Sequence, residues 1–167
     1  MVAPCYKERG AGVRMTRTKV VSREKYRGFR DKAEGFYAGM LSEFEAATQD
    51  PRRYNNCVSL AVHCAISWVD ALTVFRLGKK SSDSNHASAI ALLKEAQTPN
   101  EEKKAGICND LYQLIEMKTP AEYEDRQPSK ADAEKAVHLC KKIHKIIKNQ
   151  HDRRDPAASC AVYLIRS

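Results

Sequence analysis

Lys118 and Tyr123 are the residues whose types and spacing best suit contact with a phosphate or a base. Lys118 lies within Met117–Pro120, where a helical pattern of apolar residues is predicted to end, and Tyr123 follows in a short polar link. A lysine holds a phosphate as a point charge, and a tyrosine stacks on a base or donates a hydrogen bond. Asp70 is a third candidate, because a carboxylate inside an apolar helix must find a partner or face a cleft. Lys118, Tyr123 and Asp70 are therefore candidate ligand-binding residues.

Each of these residues also has a purely structural interpretation. Lys118 suits a helix C-terminus, where the helix dipole favours a cation, and Tyr123 suits an anchor that holds the link onto the helices. Catalysis makes stricter demands, because metal-free RNA cleavage needs a proton acceptor and a proton donor that work near pH 7. Histidine meets that demand with a pKa of about 6.5, whereas lysine and tyrosine titrate near 10. The three residues are only weak candidates for catalysis, and the catalytic residues stay unassigned.

The cysteines give neither a disulfide framework nor a metal motif. Six are spread widely along the chain, and none shows the short paired spacing of a zinc site. Cys140 and His144, one helical turn apart, supply two ligands at most, and His138 and His151 do not obviously converge with them. We therefore predict reduced thiols, no bound metal and no cofactor.

Basic residues are concentrated at the N-terminus. Residues 1–30 contain nine Lys or Arg and two Glu, so +7 of the net charge of +8 lies there. We predict a flexible basic arm over residues 1–21, in which Arg14, Arg17 and Lys19 contact nucleic-acid phosphates. The alternative is a solvated tail, since no aromatic residue that could stack on a base lies between Lys7 and Lys25.

The elements that must position these residues are helices, because apolar residues recur at steps of three and four through most of the chain. Capping and breaking signals divide the pattern into five helices. These signals are Ser22, Asp50–Pro51, Gly78, Thr98–Glu101 and Ser129. The one alternation that suggests a strand lies at 161–165.

We predict an all-α fold on this basis. Residues 22–150 form an up-down four-helix bundle with one short extra helix, which carries Leu92 and Leu93. The segment 151–167 is a C-terminal tail.

Several functional classes lack their motifs. The chain has no Gly-rich phosphate loop, no nucleophile elbow and no His-Glu-x-x-His pair. No apolar run approaches the roughly 20 residues that cross a bilayer, and the N-terminal basic residues are not followed by the apolar segment of a secretion signal. We predict a soluble, cytoplasmic protein without membrane contact.

Segments from Lys25 to Ile147 resemble the HEPN family, small all-helical domains found beside nucleotide and RNA chemistry. The second predicted helix, Ser59–Leu72, is similar to a HEPN helix of small and aromatic residues that ends in an acidic-Ala-Leu step. Asn85–His86 precedes a leucine-bearing helix, as a histidine often does in this family. The segment from Glu122 to Ala133 resembles the closing segment of the domain.

The resemblance carries implications for site and assembly. RNA-cleaving HEPN domains have an arginine and then a histidine at the link, and Lys118 and Tyr123 occupy the matching places here. The resemblance implies a homodimer in which two copies of residues 118–125 face each other and build one cleft with Asp70. It also implies a separate nucleotidyltransferase or antitoxin as a partner protein.

Three functional hypotheses follow, in order. The first is a dimeric HEPN module that binds a nucleotide, RNA or a partner protein and lacks the usual ribonuclease motif. The second is a metal-independent, toxin-like ribonuclease with atypical catalytic residues. The third is a helical interaction protein whose basic arm binds nucleic acid.

Overall fold

The structure, a computed structural model, describes residues 17–82, 86–98, 100–101, 106–123 and 127–152. Within these ranges, five α-helices with defined bounds and two short strands follow one another. In chain order they are β1 (Thr18–Val20), α1 (Tyr26–Ala46), α2 (Arg53–Leu77), β2 (Lys79–Ser81), α3 (Ala87–Ala96), α4 (Ile107–Tyr123) and α5 (Lys130–Asp152). A 3-10 turn at Arg23–Lys25 leads into α1. The predicted all-α fold, with four main helices and one short extra helix, is confirmed.

Helix α2 is the central element, and it packs against α1, α3, α4 and α5. Trp68 and Leu72 of α2 are among the largest completely buried side chains of the described residues. Burying a large apolar side chain stabilises a fold by about 1.5–3 kcal/mol, so the apolar circumference of α2 draws the other helices around it. The core therefore lies along α2.

The same composition gives α2 a property that was not expected from the sequence. Among the described residues, Arg53–Leu77 is the one helix long and apolar enough to cross a membrane by length and composition. Most of it, 78% of the apolar window, is buried inside the protein, and the core helix of a soluble protein passes the same test. The expectation that no apolar segment reaches this length is corrected, and the finding alone is weak evidence for a membrane span.

Two predicted helix starts carry capping boxes. The backbone N–H of Glu101 donates to Thr98 Oγ1 at 3.4 Å, and the N–H of Thr98 donates to Glu101 Oε2 at 3.0 Å. Ser129 and Asp132 repeat the arrangement at the start of α5, with distances of 2.8 and 3.2 Å. Each box satisfies backbone donors that a helix N-terminus leaves without partners.

The fourth predicted helix differs from the observed one at both ends. Gly106 has a φ of +60°, which a helix cannot accommodate, so α4 begins only at Ile107. At the other end α4 continues through Met117–Pro120 to Tyr123, and the predicted polar link over 121–123 is wrong. Proline removes one helical N–H but has a helical φ, and a single missing hydrogen bond does not end this helix.

Helix α5 also extends past its predicted end at residue 150, because His151 is buried. The His151 ring stacks on Tyr26 with centroids 4.6 Å apart and lies 4.6 Å from the Phe75 ring. These contacts hold the last turn of α5 against α1 and α2. The boundary predicted between bundle and tail therefore falls two residues too early.

The predicted flexible arm over 1–21 is corrected at its C-terminal end. Residues Thr18–Val20 form β1, which pairs antiparallel with β2. Val21 N–H donates to the Gly78 carbonyl at 2.8 Å, and Ser82 N–H donates to the Arg17 carbonyl at 3.0 Å. We call this pair of strands the ladder. Residues 1–16, which include Arg14, and the segment 161–165 lie outside the described residues.

Gly78 joins α2 to β2, and we predict that Gly78→Ala lowers the free energy of unfolding by about 1–2 kcal/mol. Its φ is +66°, where a Cβ is strained, and that Cβ would lie 3.5 Å from the Val21 carbonyl oxygen. Urea unfolding followed by circular dichroism measures the change. Gly35→Ala is the control, since its Cβ would have no neighbour within 4 Å and alanine should stabilise α1 by about 0.5–1 kcal/mol. Equal effects of the two substitutions would contradict the assignment.

Candidate functional site

The ladder brings lysines from distant parts of the chain together. Lys19 of β1 lies directly opposite Lys80 of β2, and Val20 lies opposite Lys79. Like charges directly opposite each other in an antiparallel pair are unfavourable. A ladder of this composition therefore needs negative charge close by, from the protein or from a ligand.

Asp70 of α2 supplies negative charge beneath Lys80. Its Oδ2 lies 3.9 Å from Lys80 Nζ, and its carboxylate accepts a hydrogen bond from the Ser81 backbone N–H. This N–H belongs to the edge of β2 that faces away from β1, so the carboxylate takes the place of a third strand. Asp70 thereby anchors the ladder to the central helix.

Burial governs the protonation of Asp70. The residue is 8% exposed, and the loss of solvent raises its pKa to about 6, although Lys80, the Ser81 N–H and Lys32 act in the opposite direction. Its Oδ1 is buried and has no hydrogen-bond partner among the described residues. A proton acceptor in RNA cleavage must come within hydrogen-bond distance of a ribose hydroxyl, and so little of Asp70 reaches solvent that we assign it an anchoring role.

Aromatic rings of α1 lie beside these cations. Lys80 Nζ is 5.0 Å from the centroid of the Phe29 ring, and Lys32 Nζ is 5.5 Å from the centroid of the Phe36 ring. The Phe36 ring in turn lies 5.5 Å from the ring of His63 on α2. Cations, half-buried aromatic rings and the ladder therefore share one region of the surface.

Arg17, the first described residue, is hydrogen-bonded to α3 next to the ladder. Its backbone N–H donates to Ser88 Oγ of α3 at 3.0 Å, while its own side chain is exposed. Lys19 is exposed as well and makes no ion pair within the described part of the chain. Of the predicted phosphate contacts, Lys19 lies on β1 and Arg17 directly precedes it, opposite the strand that Asp70 anchors, and Arg14 lies outside the described residues.

The other two predicted site residues lie on a different helix. Lys118 and Tyr123 are part of α4, which packs against α2, α3 and α5. The charged groups that face Asp70 come instead from β2 and α1. Lys118 is half-buried, and the side chain of Tyr123 lies outside the described residues. Within one chain the described contacts do not place Lys118 with Asp70.

Arg76 fixes the end of α2 that carries the ladder. Its guanidinium donates to both carboxylate oxygens of Glu101, at 3.0 and 3.1 Å, and to the carbonyl oxygen of Ala96 and Gln150 Oε1. The hydrogen bond from Arg76 is the main reason that the pKa of Glu101 falls to about 2. Arg76 thereby joins α2 to α3 and α5 close to the ladder.

The predicted weak metal pair, Cys140 and His144, lies in the core. The pKa of Cys64 is raised by a hydrogen bond with Cys140 and by burial. His144 stacks on Trp68 with centroids 5.2 Å apart, and its Nε2 is 3.4 Å from Glu34 Oε1. In the described ranges no three His, Cys, Asp or Glu side chains are grouped to hold a metal ion. These residues pack α5 against α1 and α2.

Comparison with known proteins does not assign this chain to a family. No family model matches the chain, and no curated protein matches it significantly. The ladder, its anchor and the adjoining aromatic rings are therefore the basis for a functional inference.

The pH dependence of folding tests the buried state of Asp70. Its folded pKa of about 6 lies above the ordinary value of 3.8, so the folded protein binds this proton more tightly than the unfolded chain. The resulting stabilisation is complete below pH 4 and is lost as the pH rises through 6. We predict that the difference in unfolding free energy between wild type and Asp70→Asn changes by roughly 2 kcal/mol from pH 4.5 to 7.5.

Asp31→Asn, which removes an exposed carboxylate of α1, is the matched control for the change in net charge. Parallel stability curves for wild type and Asp70→Asn across this pH range would contradict the burial of the charge.

Proposed function

We propose that this protein is a non-catalytic module that binds nucleic-acid phosphates through the ladder. The observation that carries the proposal is the pairing of Lys19 with Lys80 on a strand pair that Asp70 anchors. Asp70 compensates Lys80 on the buried side, whereas Lys19 remains exposed beside it. A phosphate is a ligand that relieves the remaining repulsion, because it offers several acceptor oxygens and a negative charge.

The charge distribution supports the same ligand. The first 30 residues hold nine of the chain's basic residues, and the chain enters the ladder at Arg17. Basic residues that precede Arg17 are covalently joined to the ladder and add to the positive charge of this part of the chain. Each phosphate contact releases a counterion, so binding to this region is expected to weaken steeply as salt increases.

The HEPN resemblance remains part of this proposal. The observed all-α architecture is compatible with it, as it is with many other helical proteins. We propose a cytoplasmic homodimer in which Lys118 and Tyr123 of two copies face each other, and a nucleotidyltransferase or antitoxin as a protein partner. An active ribonuclease finds less support, because Asp70, whose pKa of about 6 would suit proton transfer, is buried.

The test is binding of a fluorescently labelled 20-nucleotide RNA to wild type and to Lys19→Ala across a series of salt concentrations. We expect Lys19→Ala to weaken binding at about 0.1 M salt several-fold and to reduce the slope of log affinity against log salt by about 0.7–0.9. EDTA in the buffer and electrophoresis of the RNA afterwards check that the bound RNA stays uncut.

Lys135→Ala is the control, because Lys135 is an exposed lysine of α5 and lies about 24 Å along the helix from His151. It removes the same charge at a distance from the ladder. The proposal is refuted if both variants lower the affinity and the salt slope equally, or if wild type binds no RNA.

A further inference from the structure

Three residues of α1 form a stripe that leads away from the ladder. Phe29, Lys32 and Phe36 follow one another at steps of three and four, which places them on one face of the helix. Phe29 is half-buried and does not belong to the main core cluster, whereas Phe36 packs against the edge of that cluster. The stripe therefore presents two aromatic rings at the surface. Phe36 packs against the core, and Phe29 lies outside it.

Both rings have a cation close to them. Lys80 Nζ lies over the Phe29 ring and Lys32 Nζ lies over the Phe36 ring, 5.0 and 5.5 Å from the ring centroids. When such a flexible lysine moves from the ring to a phosphate, the pair offers the two contacts that a nucleotide makes, a stacking surface for the base and a cation for the phosphate. Two such ring and cation pairs occur in sequence along α1.

The spacing of the rings favours one form of nucleic acid. Seven residues separate Phe29 from Phe36, which corresponds to about 10 Å along the helix. Bases in a duplex are stacked at about 3.4 Å and their faces are hidden, so two rings this far apart cannot both stack on duplex bases. An unpaired strand can turn separate bases onto separate rings while its backbone follows the lysines.

We infer that the ligand of this region is a single strand, with one base stacked on Phe29 and another on Phe36 and with phosphates held by Lys80, Lys32 and Lys19. This inference rests on the proposed function and specifies its ligand class. The stripe supplies the aromatic surface that the N-terminal segment lacks in sequence, since the ladder brings Lys19 to the helix that carries Phe29. Base stacking and lysine–phosphate contacts are available to single-stranded RNA and to single-stranded DNA alike.

Fluorescence anisotropy with three labelled probes tests the inference: oligouridine, oligodeoxyuridine of equal length, and a hairpin duplex with the same number of phosphates. We expect wild type to bind the single strands at least several-fold more tightly than the hairpin. Phe29→Leu keeps an apolar side chain and removes the stacking surface, so it should weaken single-strand binding about tenfold and leave hairpin binding unchanged. Equal affinities for the two single strands would make the sugar irrelevant, whereas tighter binding of oligouridine would identify RNA as the preferred source.

Phe44→Leu is the control, since Phe44 is a half-buried aromatic of α1 that lies next to Tyr54, with ring centroids 6.4 Å apart, rather than next to a lysine. Circular dichroism verifies that each variant is folded. Equal binding of single strands and hairpin, or an unchanged single-strand affinity in Phe29→Leu, overturns the inference while the proposed function stands. No binding of any probe overturns both.

Discussion

The contact between the Asp70 carboxylate and β2 is the interaction on which the proposed site depends. Two three-residue strands cannot hold together by their own hydrogen bonds, and this pair also places one lysine opposite another. Asp70 offsets both problems, because it accepts the Ser81 N–H at the outer edge of β2 and lies beside the ammonium group of Lys80. This contact requires desolvation of the Asp70 carboxylate, and the desolvation raises its pKa.

Packing of the bundle offsets the desolvation of this carboxylate, because it fixes the helix that carries Asp70. The buried face of α2 is tied to α1 and α5 through Trp68, Leu72 and their neighbours, and Arg76 adds polar contacts to α3 and α5 near the ladder. A rigid support of this kind positions a small surface element better than a loop does. The charged surface around Lys19 is therefore a consequence of core packing several residues away.

The helices could be predicted from sequence because their signals are local. Apolar periodicity located the long helices, and the capping box at Ser129 marked the start of α5, whereas the box at Thr98 lies nine residues before Ile107, where α4 begins. Asp70 was singled out for the same kind of reason, since a carboxylate in an apolar helix demands a partner. The identity of that partner was not predictable, because Lys80 and Ser81 are brought to Asp70 only by the turn at Gly78.

The ladder was missed for a physical reason. Its strands are three residues long, rich in lysine and without alternating apolar residues, so no period of two could reveal them. The extent of α4 was misjudged because Pro120 suggests a helix end, although a proline at a helical φ removes only one hydrogen bond. The left-handed Gly106 has no signature apart from its residue type.

Amide hydrogen exchange, followed by NMR at pH 7, tests the central claim that Asp70 holds the ladder in place. The amides to follow are those of Val21 and Ser82, which donate across the ladder, and that of Ile143, which lies in the core of α5. In Asp70→Leu, which keeps similar volume but has no acceptor, we expect protection of Val21 and Ser82 to be largely lost while Ile143 stays protected. Retention of full protection at Val21 and Ser82 would contradict the account, because the ladder would then stand without its anchor.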